Sequence, residues 1–119
     1  VERFVFDSSA LYHLRQFLGW GRGRLAKQIG VSVTTLRRIE GHERALTLEE
    51  NNQLLRCIKS MKLRFFRDDE SPPVPEGTKL IFDRVNGYRY EYGSRMWRVG
   101  YGWVIKDGYR LSGWWLQGV

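Results

Sequence analysis

The chain has 119 residues, 42% of them hydrophobic, a formal net charge of +7 and a pI near 9.9, which suits one or two small domains with a core of their own. No run approaches the roughly 18 apolar residues that cross a bilayer, and no signal-peptide pattern opens the sequence, so the expectation is a cytoplasmic protein without a membrane partner. A single cysteine excludes an internal disulfide, and one Cys with two His cannot complete a tetrahedral metal site, so neither metal nor cofactor is expected.

Residues 1 to 6, VERFVF, are β-prone and suit either a short strand added to a sheet or an ordered arm. Asp7 or Ser8 can cap a first helix that runs to about Leu18, with Leu11, Leu14 and Leu18 facing inward. Gly19, Gly21 and Gly23 loosen the connection around Trp20, whose ring is expected at the edge of a helical core.

Residues 25 to 40 read LAKQIGVSVTTLRRIE. Leu25, Ala26 and Ile29 repeat at helical spacing, Gly30-Val31-Ser32 interrupts them, and Leu36 and Ile39 restart the repeat. That is two short helices joined by a tight turn. Ala26 is small where two helices cross closely, Gly30 tolerates a left-handed backbone at the turn, and Ser32 can cap the second helix. With Leu36 and Ile39 turned inward, Val33, Thr34, Arg37 and Arg38 are left on an outer face that is short, polar and cationic.

A loop follows at 41 to 46, and Thr47-Leu48-Glu49-Glu50 is a capping box that starts a further helix through Leu54, Leu55, Ile58 and Met61. Cys57 falls within that apolar pattern and reads as a structural thiol. Leu63, Phe65 and Phe66 then break the pattern and are expected to bury against something outside the bundle. Residues 1 to 67 hold 13 of the 20 Lys and Arg against 6 of the 13 acids, and the remainder holds seven of each. The whole basic excess therefore lies with the paired helices, as a footprint for phosphate requires.

The run from Leu11 to Met61, with its LGW, LAKQIGVSVTTLRRIEG and TLEENNQLL segments, resembles the helix-turn-helix domain of the lambda-repressor-like, or xenobiotic-response-element, family, over about residues 8 to 62. The resemblance implies a bundle of four or five helices, a homodimer on a pseudo-palindromic operator in double-stranded DNA, and the second motif helix, 33 to 40, lying in the major groove. By the same resemblance Arg22 and Arg44 would contact backbone phosphates. Ser32, Val33, Thr34 and Arg38 would meet base edges, with Thr35 and Arg37 beside them. Arg22-Gly23 replaces the family's usual Gln and acidic pair, and Val33 is apolar where a polar reader is common. The family is bacterial, archaeal or phage-encoded.

The segment 68 to 77, DDESPPVPEG, combines an acidic run with three prolines and a glycine, and reads as a semi-extended linker between two domains. From Thr78 the period changes to two. Val85-Asn86-Gly87 and Lys106-Asp107-Gly108 read as three-residue hairpin loops, and Gly93-Ser94 as a two-residue turn. Those loops set Phe82 opposite Tyr90, Leu80 opposite Tyr92, Ile105 opposite Tyr109, Trp103 opposite Leu111, Tyr90 opposite Trp97 and Tyr88 opposite Val99. The expected β domain, 78 to 119, is a four-stranded antiparallel meander over 79 to 84, 88 to 92, 95 to 105 and 109 to 117. Gly100 and Gly102 would bend or bulge its third strand into a curled sheet or small barrel. Tyr88, Tyr90, Trp97, Tyr101, Trp103 and Trp115 are the candidate dimer or partner face.

The fold class expected is α+β, a helical bundle in residues 1 to 67 followed by this small sheet. The function expected is that of a sequence-specific double-stranded DNA-binding transcriptional regulator, a repressor or autoregulator, acting as a homodimer. The alternative is an antitoxin-type or ligand-responsive regulator whose β domain binds a protein or small molecule. No catalytic residue is expected, because the second half has no His and no acidic pair at a recognisable spacing.

Overall fold

Asp7 opens the first helix: its carboxylate accepts from the Ala10 N–H at 2.7 Å, and α1 (Ser8–Leu18) runs until Gly19 turns left-handed at φ 69°. The computed structural model describes residues 4–118. Three more helices follow, α2 (Arg22–Ile29), α3 (Val33–Glu40) and α4 (Leu48–Ser60). Both arms of the capping box at Thr47 and Glu50 are formed. Leu11, Leu14, Leu25, Leu36, Ile39 and Leu54 are wholly buried between these helices, as their spacing requires. Trp20 is buried at the edge of that core, with the Arg24 guanidinium 4.5 Å above its ring.

Beyond the helices lies an open antiparallel sheet of five strands, β1 (Arg64–Arg67), β2 (Lys79–Asp83), β3 (Gly87–Tyr92), β4 (Arg95–Lys106) and β5 (Tyr109–Gly118), in the order β1-β5-β4-β3-β2. It is neither four-stranded nor closed into a barrel. The additional strand is the Arg64-Phe65-Phe66-Arg67 run, which pairs Phe65 with Trp115 and Phe66 with Trp114. What Phe65 and Phe66 bury against is thus the sheet itself.

The turns decide which pairings match the sequence reading. Tyr90 opposite Trp97 and Tyr88 opposite Val99 are as expected from Gly93-Ser94. The first hairpin turns over residues 84 to 86, so Leu80 faces Tyr90 and Phe82 faces Tyr88, a slip of two residues that keeps each side chain on its face. The last hairpin differs more. Asp107 and Gly108 both take positive φ, at 52° and 80°, and make a two-residue turn. Trp103 therefore faces Ser112, Val104 faces Leu111, Ile105 faces Arg110 and Lys106 faces Tyr109. That one-residue shift moves Leu111 and Tyr109 to the opposite face from the one expected.

Gly100 and Gly102 do not bulge β4, which pairs with β5 without a break from Trp97 to Lys106. Their lack of a side chain admits rings instead. A Cβ at Gly100 would stand 2.2 Å from the Phe17 ring of α1, and one at Gly102 would stand 2.6 Å from the Trp115 indole nitrogen. The helices and the sheet consequently share one core, in which Val104 and Trp115 join the leucines of the bundle, and Phe6 stacks on Trp115 at 5.9 Å.

Residues 68 to 77 fold back instead of extending. Val74 packs with Phe66, Val99 and Leu116 in a second apolar cluster, because the aromatic sheet offers it a surface that water does not. At the other end, Val5 exchanges two backbone hydrogen bonds of 2.8 Å with Ile105, and Asn51 of α4 bonds the Phe6 N–H and the Phe4 carbonyl. Residues 4 to 6 are a tethered arm making a single β-bridge; residues 1 to 3 of the β-prone stretch lie outside the described part. No helix among the described residues is long and apolar enough to cross a membrane.

Candidate nucleic-acid interface

The geometry of α3 begins at its cap. Ser32 Oγ accepts the Thr35 N–H at 3.1 Å and lies 3.0 Å from Thr35 Oγ1, so both hydroxyls are engaged in starting the helix. Gly30, left-handed at φ 77°, lets α2 turn directly into this cap. With Leu36 and Ile39 fully buried, Val33, Thr34, Arg37 and Arg38 stand on the exposed side, and Thr35 is half-buried between the two faces. The guanidinium groups of Arg37 and Arg38 make no hydrogen bond or ion pair among the described residues.

The two arginines expected at phosphates are placed differently from each other. Arg22, at the first position of α2, donates its Nε–H to Glu40 at 2.9 Å and its side chain remains 44% exposed. Arg44 is committed to α4. Its guanidinium grips Glu50 through two hydrogen bonds of 2.8 and 2.7 Å and also donates to the Ala45 carbonyl. That grip holds the Glu50 carboxyl well below its usual range, at about 2, with help from the Thr47 backbone. A cation so neutralised contributes little to an anion-binding surface.

Glu40 is the residue whose role sequence reasoning missed. It sits at the last position of α3, where the helix dipole disfavours a negative charge, and its side chain is only 5% exposed. Arg15 of α1 compensates with two hydrogen bonds of 2.7 and 3.1 Å, and Arg22 of α2 adds a third. One carboxylate thus ties α3 to both preceding helices. The only hint in the chain is an acid in a segment otherwise basic.

This has an electrostatic consequence. Between residues 19 and 42 the sequence has five cations, Arg22, Arg24, Lys27, Arg37 and Arg38, and one acid, Glu40. Because Glu40 is turned inward and paired, no acid is exposed on α2, α3 or the turn between them. Lys27, exposed in the last turn of α2, extends the cationic surface towards the start of α3.

The six aromatic residues of the expected partner face are divided by the fold. Trp115 and Trp103 lie inside the chain's own core, Trp103 with its Nε1 3.4 Å from Asp7 Oδ1 and its ring 4.7 Å from that of His13. Trp97 and Tyr90 are half-buried, while Tyr88 and Tyr101 are exposed. Cys57 is half-buried with its thiol 3.5 Å from Gln28 Oε1, and burial pushes its pKa up, as suits an inert sulfur.

No protein-family model, no curated protein and no solved structure matches this chain.

Proposed function

We propose that this chain is a sequence-specific double-stranded DNA-binding transcriptional regulator that uses α3 as a recognition helix in the major groove. The observation that carries the reading is the surface of α2 and α3, cationic and free of exposed acid, with Thr34, Arg37 and Arg38 projecting from a helix whose opposite side is locked into the core. Its resemblance to the lambda-repressor-like family over residues 8 to 62 supports the same reading. In the mechanism proposed, Arg22 and Lys27 meet phosphates and fix register, Arg38 and Thr34 meet base edges, and Val33 touches a thymine methyl. Ser32 and Thr35 act mainly by capping the helix that presents them.

Selection of bound duplexes from a random pool, followed by footprinting, tests this. A defined, pseudo-palindromic site supports the reading. Equal recovery of all duplexes, or preference for single strands over duplex in competition, removes it.

One observation favours a ligand-responsive variant of the same function. A cavity of about 340 Å³ lies on the outer face of the sheet, floored by Trp97, Leu116 and Val74 and ringed by Lys62, Arg64 and Arg95, with no acid in its lining. Lys62 holds a left-handed backbone at φ 54° where α4 ends, a position that usually takes glycine. Three cations over an apolar floor suit a small organic anion with a flat body. Titration with benzoate against neutral benzamide, followed by the shift of the Trp97 indole resonance, distinguishes this variant: saturable response to the anion alone supports it.

A further inference from the structure

We propose that two copies of this chain join through the outer edge of β2, pairing antiparallel about a two-fold axis at Ile81, so that the two sheets become one. The inference rests on the proposed regulator acting as the homodimer expected from the sequence, and moves the interface away from the buried tryptophans.

The sheet order ends at β2, whose only strand neighbour among the described residues is β3, so one side of its backbone has no strand partner there. Natural edge strands are guarded by proline, by bulges or by a charge in mid-strand. β2 has neither proline nor bulge: Lys79, Leu80, Ile81, Phe82 and Asp83 pair in unbroken register with β3, and its charges stand at its ends, Asp83 accepting from the Val85 and Asn86 N–H groups and lying 3.6 Å from Arg89. Its face is apolar as well as open. Leu80 and Phe82 are 55% and 61% exposed, on the side of the sheet that carries Tyr88 and Tyr90, and Phe82 leans on Tyr88 at 4.9 Å. Bulky apolar side chains on an unpaired edge expose two kinds of unsatisfied surface together.

The order of residues says what fits there. In an antiparallel pair centred on Ile81, each Lys79 lies opposite the partner's Asp83, each Leu80 opposite the partner's Phe82, and Ile81 opposite its own copy. Centring on Leu80 sets Lys79 against Ile81, and centring on Phe82 sets Asp83 against Ile81. Only the Ile81 register opposes all five residues and sets Lys79 beside the partner's Asp83, whose carboxylate also serves its own turn and Arg89, so the apolar cross-strand pairs carry most of the match. Such a contact is self-complementary, as a two-fold interface between identical chains must be. It also sets the exposed Leu80 and Phe82 of the two copies beside one another on one face of the joined sheet.

The test uses the full chain and contains no DNA, so a failure to dimerise is read separately from a failure to bind duplex. Sedimentation equilibrium should give a dimer for the native chain and a monomer for Leu80→Lys/Phe82→Lys, with the circular dichroism spectrum unchanged because both positions are exposed. Register is tested by cross-linking on a Cys57→Ser background. Directly opposed residues have Cα atoms about 4.5 to 5.5 Å apart, within the range a disulfide bridges. Ile81→Cys should therefore form a covalent dimer on mild oxidation or with a short bifunctional thiol-reactive alkylating reagent. Lys79→Cys should not, since four residues of offset separate its two copies by about 13 Å. A monomeric native chain, a dimeric lysine variant, or cross-linking from Lys79→Cys as efficient as from Ile81→Cys would each overturn the proposal. The cross-linking comparison decides even where the lysine variant unfolds.

Discussion

Glu40 Oε2 accepts from Arg15 Nε at 2.7 Å, with the two side chains 5% and 9% exposed, and through this pair the end of the proposed recognition helix is bolted to α1. Removing one partner of a buried pair leaves the other charge without compensation, whereas an exposed partner is readily replaced by water. Glu40→Ala should therefore lower unfolding stability by about 3 to 5 kcal/mol, since Arg15 loses its carboxylate inside the core. Arg22→Ala should cost less than about 1 kcal/mol, its guanidinium being largely in solvent. Urea unfolding of the two variants separates these outcomes. Equal effects would mean that the carboxylate does not organise the helices as described.

The Arg38 guanidinium has no hydrogen-bond or ion-pair partner among the described residues, so its truncation should leave folding untouched and act on recognition alone. If it binds a guanine through both terminal nitrogens, Arg38→Ala should weaken the selected duplex by about 1 to 3 kcal/mol and relax preference at one base pair. A uniform loss across all sequences would instead assign Arg38 to the phosphate backbone. Affinity should also fall linearly in log K against log salt, and the slope should shallow by about one for each phosphate contact removed, as Lys27→Ala would show.

Glu50 supplies a pH dependence of definite sign. Its carboxyl ionises near 4.5 in an open chain and at about 2 when folded, where Arg44 and the Thr47 backbone favour the charged form. The folded state thus gains from ionised Glu50, fully above the open-chain value and progressively less as pH falls from about 4.5 towards 2. Glu50→Gln should destabilise the chain modestly at neutral pH, by about 1 kcal/mol or less after solvent screening. Thermal unfolding of native and Glu50→Gln chains should converge across that acid window. Curves that stay parallel down to the low end would show that this pairing contributes nothing.

Phe17 lies over Gly100 so closely that even a methyl group cannot be added without displacing the ring. Gly100→Ala should cost about 1 to 3 kcal/mol through overpacking between α1 and β4. In a Phe17→Ala background most of that penalty should vanish, since the offending atoms are gone. An additive double variant would mean that the glycine serves the strand's backbone and not the ring.

Much of this architecture was legible locally. Asp7, Ser32 and Thr47 cap the helices they precede, Gly30 turns left-handed, and the change to an alternating period at Thr78 falls just before β2, the strand β1 lying ahead of it. These features depend on contacts within a few residues, and a side chain's reach along its own backbone is independent of the rest of the fold. The outer face of α3 was readable for the same reason, since burying Leu36 and Ile39 leaves its other residues no alternative.

The remainder required elements distant in the chain to meet. Asp107-Gly108 and Lys106-Asp107-Gly108 are both acceptable turns in the sequence, and the shorter one is formed, setting Val104 beside Leu111. That Phe65 and Phe66 belong to a strand depends on β5, some fifty positions later, offering its edge. That Asn51 secures the residues around Phe6, and that Arg22 and Arg44 answer to carboxylates while Arg37 and Arg38 answer to none, depends on which helices cross. The order of residues determined the helices, their caps, the cationic face and the register of the middle hairpin; tertiary contact decided the register of the outer hairpins, the fifth strand and which charges stay available, because pairing energies arise only when remote groups are brought within a few ångströms.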